Sequence, residues 1–332
     1  MARVEFFAWE RLASLRLTMG SLVALAGAVL FSYQGHVNST WALAVPLALL
    51  AVNLLAAVAT RPALRAQRAL LVFHLGLIAM VLLLAAGRLT YLRGSVEVAQ
   101  GAEFDGELTA FEAGPWHGAG LAQVRFVNNG FRIAYAKGVQ RDKTHNAVSY
   151  PNADGSALHA EIGDQTPLVL NGYRFYTTPN KGFAPTFVWY PAGGGPPLTG
   201  AVHLPSYPIH EYRQARDWVL PGTTLKVWTM LQFDEQILDP AGPSEFKLPA
   251  KYQVVVRVGE QRHALLPAQS IDLPQGRLVF DGLRTWMGYA VFYDWTLPWL
   301  LGVCALSVGA LGWHFWGKFA ARPWNPDAGY PA

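Results

Sequence analysis

The sequence predicts a membrane protein with four transmembrane α-helices, three N-terminal and one C-terminal, and a mainly-β extracytoplasmic domain between helices 3 and 4. Three observations predict it. Charged residues make up only 14% of the chain while 52% of it is apolar, against about 25% charged in ordinary globular domains. Four runs, 17–33, 41–59, 69–87 and 297–316, contain no Asp, Glu, Lys or Arg. Each approaches the roughly 20 residues that a helix rising 1.5 Å per residue needs to cross a hydrocarbon core. The long stretch between the third and fourth runs is rich in Gly, Pro and short Val-, Tyr-, Phe- and Trp-bearing segments, a composition of strands and turns.

Taken in order, residues 1–87 form an N-terminal membrane domain with the first three spans, 88–296 the β-rich domain, 297–316 the fourth span and 317–332 a tail. A basic start and Ala24-Leu25-Ala26 give the first run some likeness to a signal peptide. Its continuation to Tyr33, with three further runs behind it, favours a retained span. Trp41, Tyr91, Trp295, Trp299 and Trp316 sit at span ends, as interfacial anchors do. In the β region, Val124–Ala136 alternates on either side of Asn128-Asn129-Gly130, which predicts a hairpin turning on the Asn-Gly pair. Lys251–Val258 and Arg277–Phe280 read as strands and Gly193–Pro197 as a loop.

The net charge of +4 resembles a nucleic-acid signal only until its location is read. Between Arg88 and Thr296 there are 18 basic and 19 acidic residues, and outside that stretch 8 basic and 3 acidic. Arg3, Arg11 and Arg16 precede the first span, Arg61, Arg65 and Arg68 separate the second from the third, and Lys318 and Arg322 follow the fourth. By the positive-inside rule both termini are cytoplasmic and the large domain lies on the far side, with Arg88 and Arg93 as minor contrary charges. No nucleic-acid partner is expected.

Cys304 is the only cysteine and lies in the fourth run, so the chain alone forms no disulfide, Cys-x-x-Cys pair or thiolate cage. No Walker loop, G-x-S-x-G elbow or H-E-x-x-H pair is present. His117, His145, His159, His203, His210 and His263 show no metal-ligand spacing, and interfacial solvation accounts for His36 and His314. His74 differs: it is an ionisable group inside the third span, and such groups face a bundle interior or a functional path. A neutral imidazole there is either a structural side chain bonded to a neighbouring backbone or hydroxyl group, or a ligand or proton relay. Gly76 and Gly87 leave room for close helix approach or for a flat ligand. Trp116, Trp189, Trp218, Trp228 and Trp286 could pack a β core or stack on a porphyrin.

The chain resembles the ResB (CcsB) family of System II cytochrome c biogenesis proteins. Leu12-Ala13-Ser14-Leu15-Arg16-Leu17-Thr18 is similar to the family's entry into its first span. His74-Leu75-Gly76-Leu77 through Gly87, followed by Arg93-Gly94-Ser95-Val96 to Gly101-Ala102-Glu103, resembles its third span and the strand beyond. Pro167-Leu168 with Gly172-Tyr173-Arg174-Phe175-Tyr176 resembles its Pro-Leu, Gly, Tyr strands, and Gly282-Leu283 with Asp294 its closing segment. The chain departs from the pattern in a shorter outer domain and in Asp294-Trp295-Thr296, where the family has Asp-Pro-Gly.

The resemblance implies a multi-pass protein of the bacterial cytoplasmic membrane and a CcsA/ResC-type membrane partner. It implies a complex that carries haem b across the membrane and joins it to apocytochrome c at Cys-x-x-Cys-His. This chain would at most form part of that cytochrome c synthase, with a thioredoxin-like thiol reductase supplying reduced client thiols. It also makes His74 an axial haem ligand. The competing classes are a scaffold or apocytochrome chaperone with a structural His74, and a transporter or sensor. The last would need further ionisable pathway residues in the spans, where His74 is the only ionisable side chain well inside one apart from Cys304.

Overall fold

The computed structural model describes residues 9–34, 39–152, 154–211 and 213–320. His36, Arg3 and Arg322 lie outside them. Two compact units divide the chain: Met1–Leu92, Glu112–Gly118 and Asp294–Ala332 in the first, Arg93–Phe111 and Ala119–Tyr293 in the second.

In the first unit four helices are long and apolar enough to span a membrane: α1 (Leu15–Gln34), α2 (Thr40–Thr60), α4 (Arg68–Thr90) and α5 (Leu297–Ala320). A short α3 (Pro62–Ala66) links α2 to α4, with proline at its first turn, where the missing N–H costs nothing. Helices α2 and α4 pack through Leu47, Leu50 and Ala51 against Val81 and Ala85. Helix α4 meets α5 at Gly76, where an added Cβ would lie 2.2 Å from Ser307 Oγ. Glycine is thus what lets the two backbones approach, and Gly87, facing Thr296 Oγ1, does the same at the other end. Large apolar side chains such as Val23, Phe31, Leu301 and Val308 point outward, as lipid-facing residues do.

Among the described residues the second unit holds sixteen strands in three sheets, with β1 (Leu92–Ala99) and β3 (Ala110–Ala113) reaching its boundary. The largest sheet has the order β3-β1-β16-β8-β7, centred on the antiparallel pair β8 (Tyr173–Pro191) and β16 (Gly276–Tyr293), with β7 (Leu168–Leu170) at its edge. A second sheet runs β12 (Ser244–Glu245), β4 (Phe126–Ala136), β5 (Gln140–Pro151), β6 (Ala157–Ile162), and a third β10 (Ala215–Val219), β11 (Lys226–Gln232), β13 (Gln253–Val258), β14 (Gln261–Leu265). Strand β13 (Gln253–Val258) falls in the predicted Lys251–Val258 run, and Arg277–Phe280 lies inside β16. Phe104, Phe126, Phe175 and Tyr289 make a fully buried aromatic core with ring centroids 5.2–5.4 Å apart.

The hairpin predicted at Asn128-Asn129-Gly130 is not there. Residues 126–136 form one strand, β4, whose register against β5 (Gln140–Pro151) shifts between Asn128 and Gly130. Gly130, at φ 111°, supplies a bulge rather than a turn. Asn128 accounts for this: it is fully buried, donates to the Val98 carbonyl at 2.9 Å, and accepts from Gly130 N–H at 3.0 Å. The chain reverses later, at Gly138 and Val139, both at positive φ.

Candidate functional site

His74 is the seventh residue of α4 (Arg68–Thr90), about 9 Å along the axis from its first residue at 1.5 Å per residue. Its ring is half-buried and lies edge-on to Phe73, with centroids 5.5 Å apart. Nδ1 lies 2.8 Å from the Leu70 carbonyl oxygen, one turn back. A carbonyl can only accept, so Nδ1 carries the proton and the lone pair resides on Nε2. Nε2 makes no hydrogen bond among the described residues. A backbone carbonyl holding one ring nitrogen while the other stays free is how ligating histidines are oriented. The donor chemistry at His74 therefore fits an axial position on haem iron.

Helical spacing places His74 on the stripe of Val81 and Ala85, the two residues packed against α2. Gly76 lies nearly opposite, against α5. The glycines of this span thus serve helix approach, and His74 belongs to a different face. His314 follows Ser307 by two turns and Ala310 by one, the buried residues of α5. It lines a cavity at the Arg68 end of α4 that does not include His74, so the two span histidines are not brought together.

Sequence reading missed Asn53, a 2% exposed side chain inside α2. Its amide nitrogen donates to the carbonyls of Leu12 and Ser14 at 2.6 and 3.1 Å, and Thr18 Oγ1 donates to its Oδ1 at 2.7 Å. Nearby, Arg61 donates to the Ala13 carbonyl and Leu17 N–H to Ser14 Oγ. The Leu12–Thr18 motif is therefore the receiving half of a clamp that pins the start of α1 to α2. A lone asparagine in an uncharged span was the available signal.

At the opposite end of this unit, Glu112–Gly118 folds onto the last turn of α4. Gly114 and Trp116 donate their N–H groups to the Tyr91 and Leu89 carbonyls, each at 2.9 Å. Trp116 meets Trp41 edge-on at 6.3 Å, Tyr91 hydroxyl bonds Glu112, and His117 Nδ1 lies 2.8 Å from the Thr90 carbonyl. The divergent Asp294-Trp295-Thr296 caps α5: Asp294 accepts from the Thr296 N–H and hydroxyl, and Thr296 carbonyl accepts from Leu300. Trp295 Nε1 donates to Thr90 Oγ1.

In the second unit the tryptophans form no common surface. Trp189 and Trp286 are 2% exposed core residues, Trp218 stacks on Phe187, and Trp228 lies under Arg257, while Trp116 belongs to the membrane unit. His145 pairs with Glu161, and His203 Nδ1 lies 3.1 Å from Glu97. That bond holds the Glu97 carboxyl below its ordinary range, opposed by burial and reinforced by the charges of His203 and Arg216. Among the described residues no three His, Cys, Asp or Glu side chains are grouped to hold a metal ion.

A family model described as the ResB-like family matches residues 57–191, a segment that contains His74 and runs from the end of α2 through β8. No curated protein matches the chain.

Proposed function

Because a ResB-like family model matches residues 57–191, we propose that this chain is a ResB-like protein and a subunit of a cytochrome c haem-attachment complex. Membership carries involvement in cytochrome c biogenesis. The finer reading is that the chain helps move haem b across the bacterial cytoplasmic membrane and deliver it to Cys-x-x-Cys-His apocytochromes. Haem is its substrate, and His74 holds the iron from one side while a partner supplies the rest of the site. The observation that supports this most directly is the free Nε2 of an imidazole whose Nδ1 is tied to Leu70. Leu70 selects the tautomer of the neutral ring, the one whose lone pair is on Nε2.

The arginines at the Arg61–Arg68 turn and the Lys318 end of α5 support cytoplasmic termini and a periplasmic β unit. His74 then lies in the leaflet where haem enters. A CcsA/ResC-type protein is the expected membrane partner. The single, span-embedded Cys304 means reduced client thiols come from elsewhere, such as a thioredoxin-like reductase.

The experiment is His74→Ala in the complex purified with its partner. Loss of bound haem or a shifted Soret band, restored by added imidazole, is the expected result. Unchanged haem content and spectrum would sink the ligand role. It would favour the scaffold reading, for which the same Leu70 bond is simply how a span histidine is satisfied.

A further inference from the structure

At the arginine-rich end of the membrane unit, α4 and α5 part to leave a cavity of about 630 Å³ lined by Gln67, Arg68, Leu70, Trp313, His314 and Lys318, with Ala69 and Gly317 between them. Its volume lies within the roughly 300–1,000 Å³ of small-molecule and cofactor sites. Two cations enter it from two helices, and neither Arg68 nor Lys318 makes an ion pair among the described residues. Like charges converging on one cavity with no acid between them repel, unless an anion joins them. The remaining lining is the indole of Trp313 and the apolar Leu70, with the imidazole of His314 between the two helices. The composition is a polar, cationic mouth over an apolar wall, at the level where a span leaves hydrocarbon. The first turn of α4 contains no acidic residue and Gln67 makes no side-chain cap, and no acidic side chain lines the cavity among the described residues.

We propose that this cavity binds the anionic head of an amphiphile, its carboxylates or phosphate held between Arg68 and Lys318 and its apolar body laid along Trp313 and Leu70. Basic cavities between helices at a membrane surface bind lipid headgroups by this chemistry, and the two propionates of haem offer the same charges. His314 donates to a phosphate in the first case and faces iron in the second. His74 does not line this cavity, although it follows Leu70 by one turn of α4, and the cavity's two cations are in place whether or not His74 binds haem.

The test uses the full chain in nanodiscs of phosphatidylcholine. One arm titrates haemin and follows the Soret band; the other replaces part of the lipid by phosphatidylglycerol and counts retained lipid by native mass spectrometry. Three variants are compared: R68Q/K318Q, the charge-matched control R16Q/R65Q outside the cavity, and H314A. Circular dichroism confirms helix content in each. R68Q/K318Q should weaken binding of one ligand roughly thirtyfold, about 1 kcal/mol for each cation at 1.4 kcal/mol per tenfold. The control should leave it intact.

A Soret band shifted by H314A identifies the carboxylates of haem as the source. Lost phosphatidylglycerol with unchanged haemin titration identifies a lipid phosphate. Equal behaviour of the two double variants toward both ligands would overturn the proposal. His74→Ala, run alongside, reports on the other site, so failure of one reading leaves the other legible.

Discussion

The two units treat buried polar side chains differently. In the spans, Asn53 meets two main-chain carbonyls and the Thr18 hydroxyl, and half-buried His74 meets the Leu70 carbonyl, its second ring nitrogen making no hydrogen bond among the described residues. In the β unit one set of buried polar side chains closes on itself. Asn146 donates to Asn128 Oδ1 at 2.8 Å and to the Gly130 carbonyl at 2.9 Å, and accepts from Tyr289 hydroxyl at 2.7 Å. Asn128 in turn bonds Val98 and Gly130. All three side chains are fully buried, and together they join β4 and β5 to β1 and β16. Burial pushes the Tyr289 phenol up, against the hydrogen bond to Asn146, so it stays a donor at any working pH. A closed network fixes geometry, whereas an isolated group with one free atom can meet a ligand.

Breaking the closed side has the largest expected effect. Asn146→Leu leaves the Tyr289 hydroxyl, Asn128 Oδ1 and the Gly130 carbonyl each short of a bond in a dry core. At about 1–3 kcal/mol for each unsatisfied group, the β unit should lose roughly 3–5 kcal/mol. Urea unfolding followed by near-ultraviolet circular dichroism measures it, and a loss below about 1 kcal/mol would show that the cluster is not closed.

Lys181 stands outside this network, a 2% exposed amine in the β unit. It donates to the Pro179 carbonyl at 3.3 Å, lies over the Tyr135 ring, and makes no ion pair among the described residues. Burial pulls it down to about 8, helped by nearby Arg141 and resisted by Asp164. Unfolded lysine titrates near 10.4, so between those values the unfolded chain binds more protons and stability rises with pH. Below pH 8 the ammonium is charged in both states and the full cost of burying it is present, on the order of 3 kcal/mol. Lys181→Met should therefore stabilise the unit at pH 7 and flatten the dependence between about pH 8 and 10.4. Parallel unfolding midpoints across that range for the two proteins would contradict it.

In the spans the matching deletion is milder. Asn53→Leu removes the clamp on Leu12, Ser14 and Thr18, yet hydrogen bonds between spans average only about 0.6 kcal/mol each. The expected loss is roughly 1–2 kcal/mol in mixed micelles. Protease protection of the segment before α1 should fall, while the β unit's unfolding stays unchanged.

The four spans and the β domain were legible because charge exclusion and strand composition act over many residues and need no partner. His74 was legible as a lone ionisable group in a span. Asn53 was not singled out, since its meaning depends on Leu12, Ser14 and Thr18 arriving from another helix. The cavity at Arg68 and Lys318 depends on two segments more than 200 residues apart in the chain, and each cation alone reads as a topology signal.

The smallest effect concerns two identical dipeptides, Asn129-Gly130 and Asn171-Gly172. The second is the tight hairpin that the first was expected to be: Asn171 and Gly172 have φ 50° and 82°, and Leu170 pairs directly with Tyr173. Local preference is the same in both places, so the difference comes from outside the dipeptide, where buried Asn128 holds β4 in one strand through Val98 and Asn146. Gly172→Ala should cost about 1 kcal/mol, because alanine tolerates the left-handed region poorly but not prohibitively. Gly130→Ala should cost more, since φ 111° lies beyond that region and the new Cβ would come within 2.8 Å of the Gln100 amide nitrogen. Equal losses at the two sites in urea unfolding would mean that the bulge can relax into an ordinary register, and that Asn128 does not dictate it.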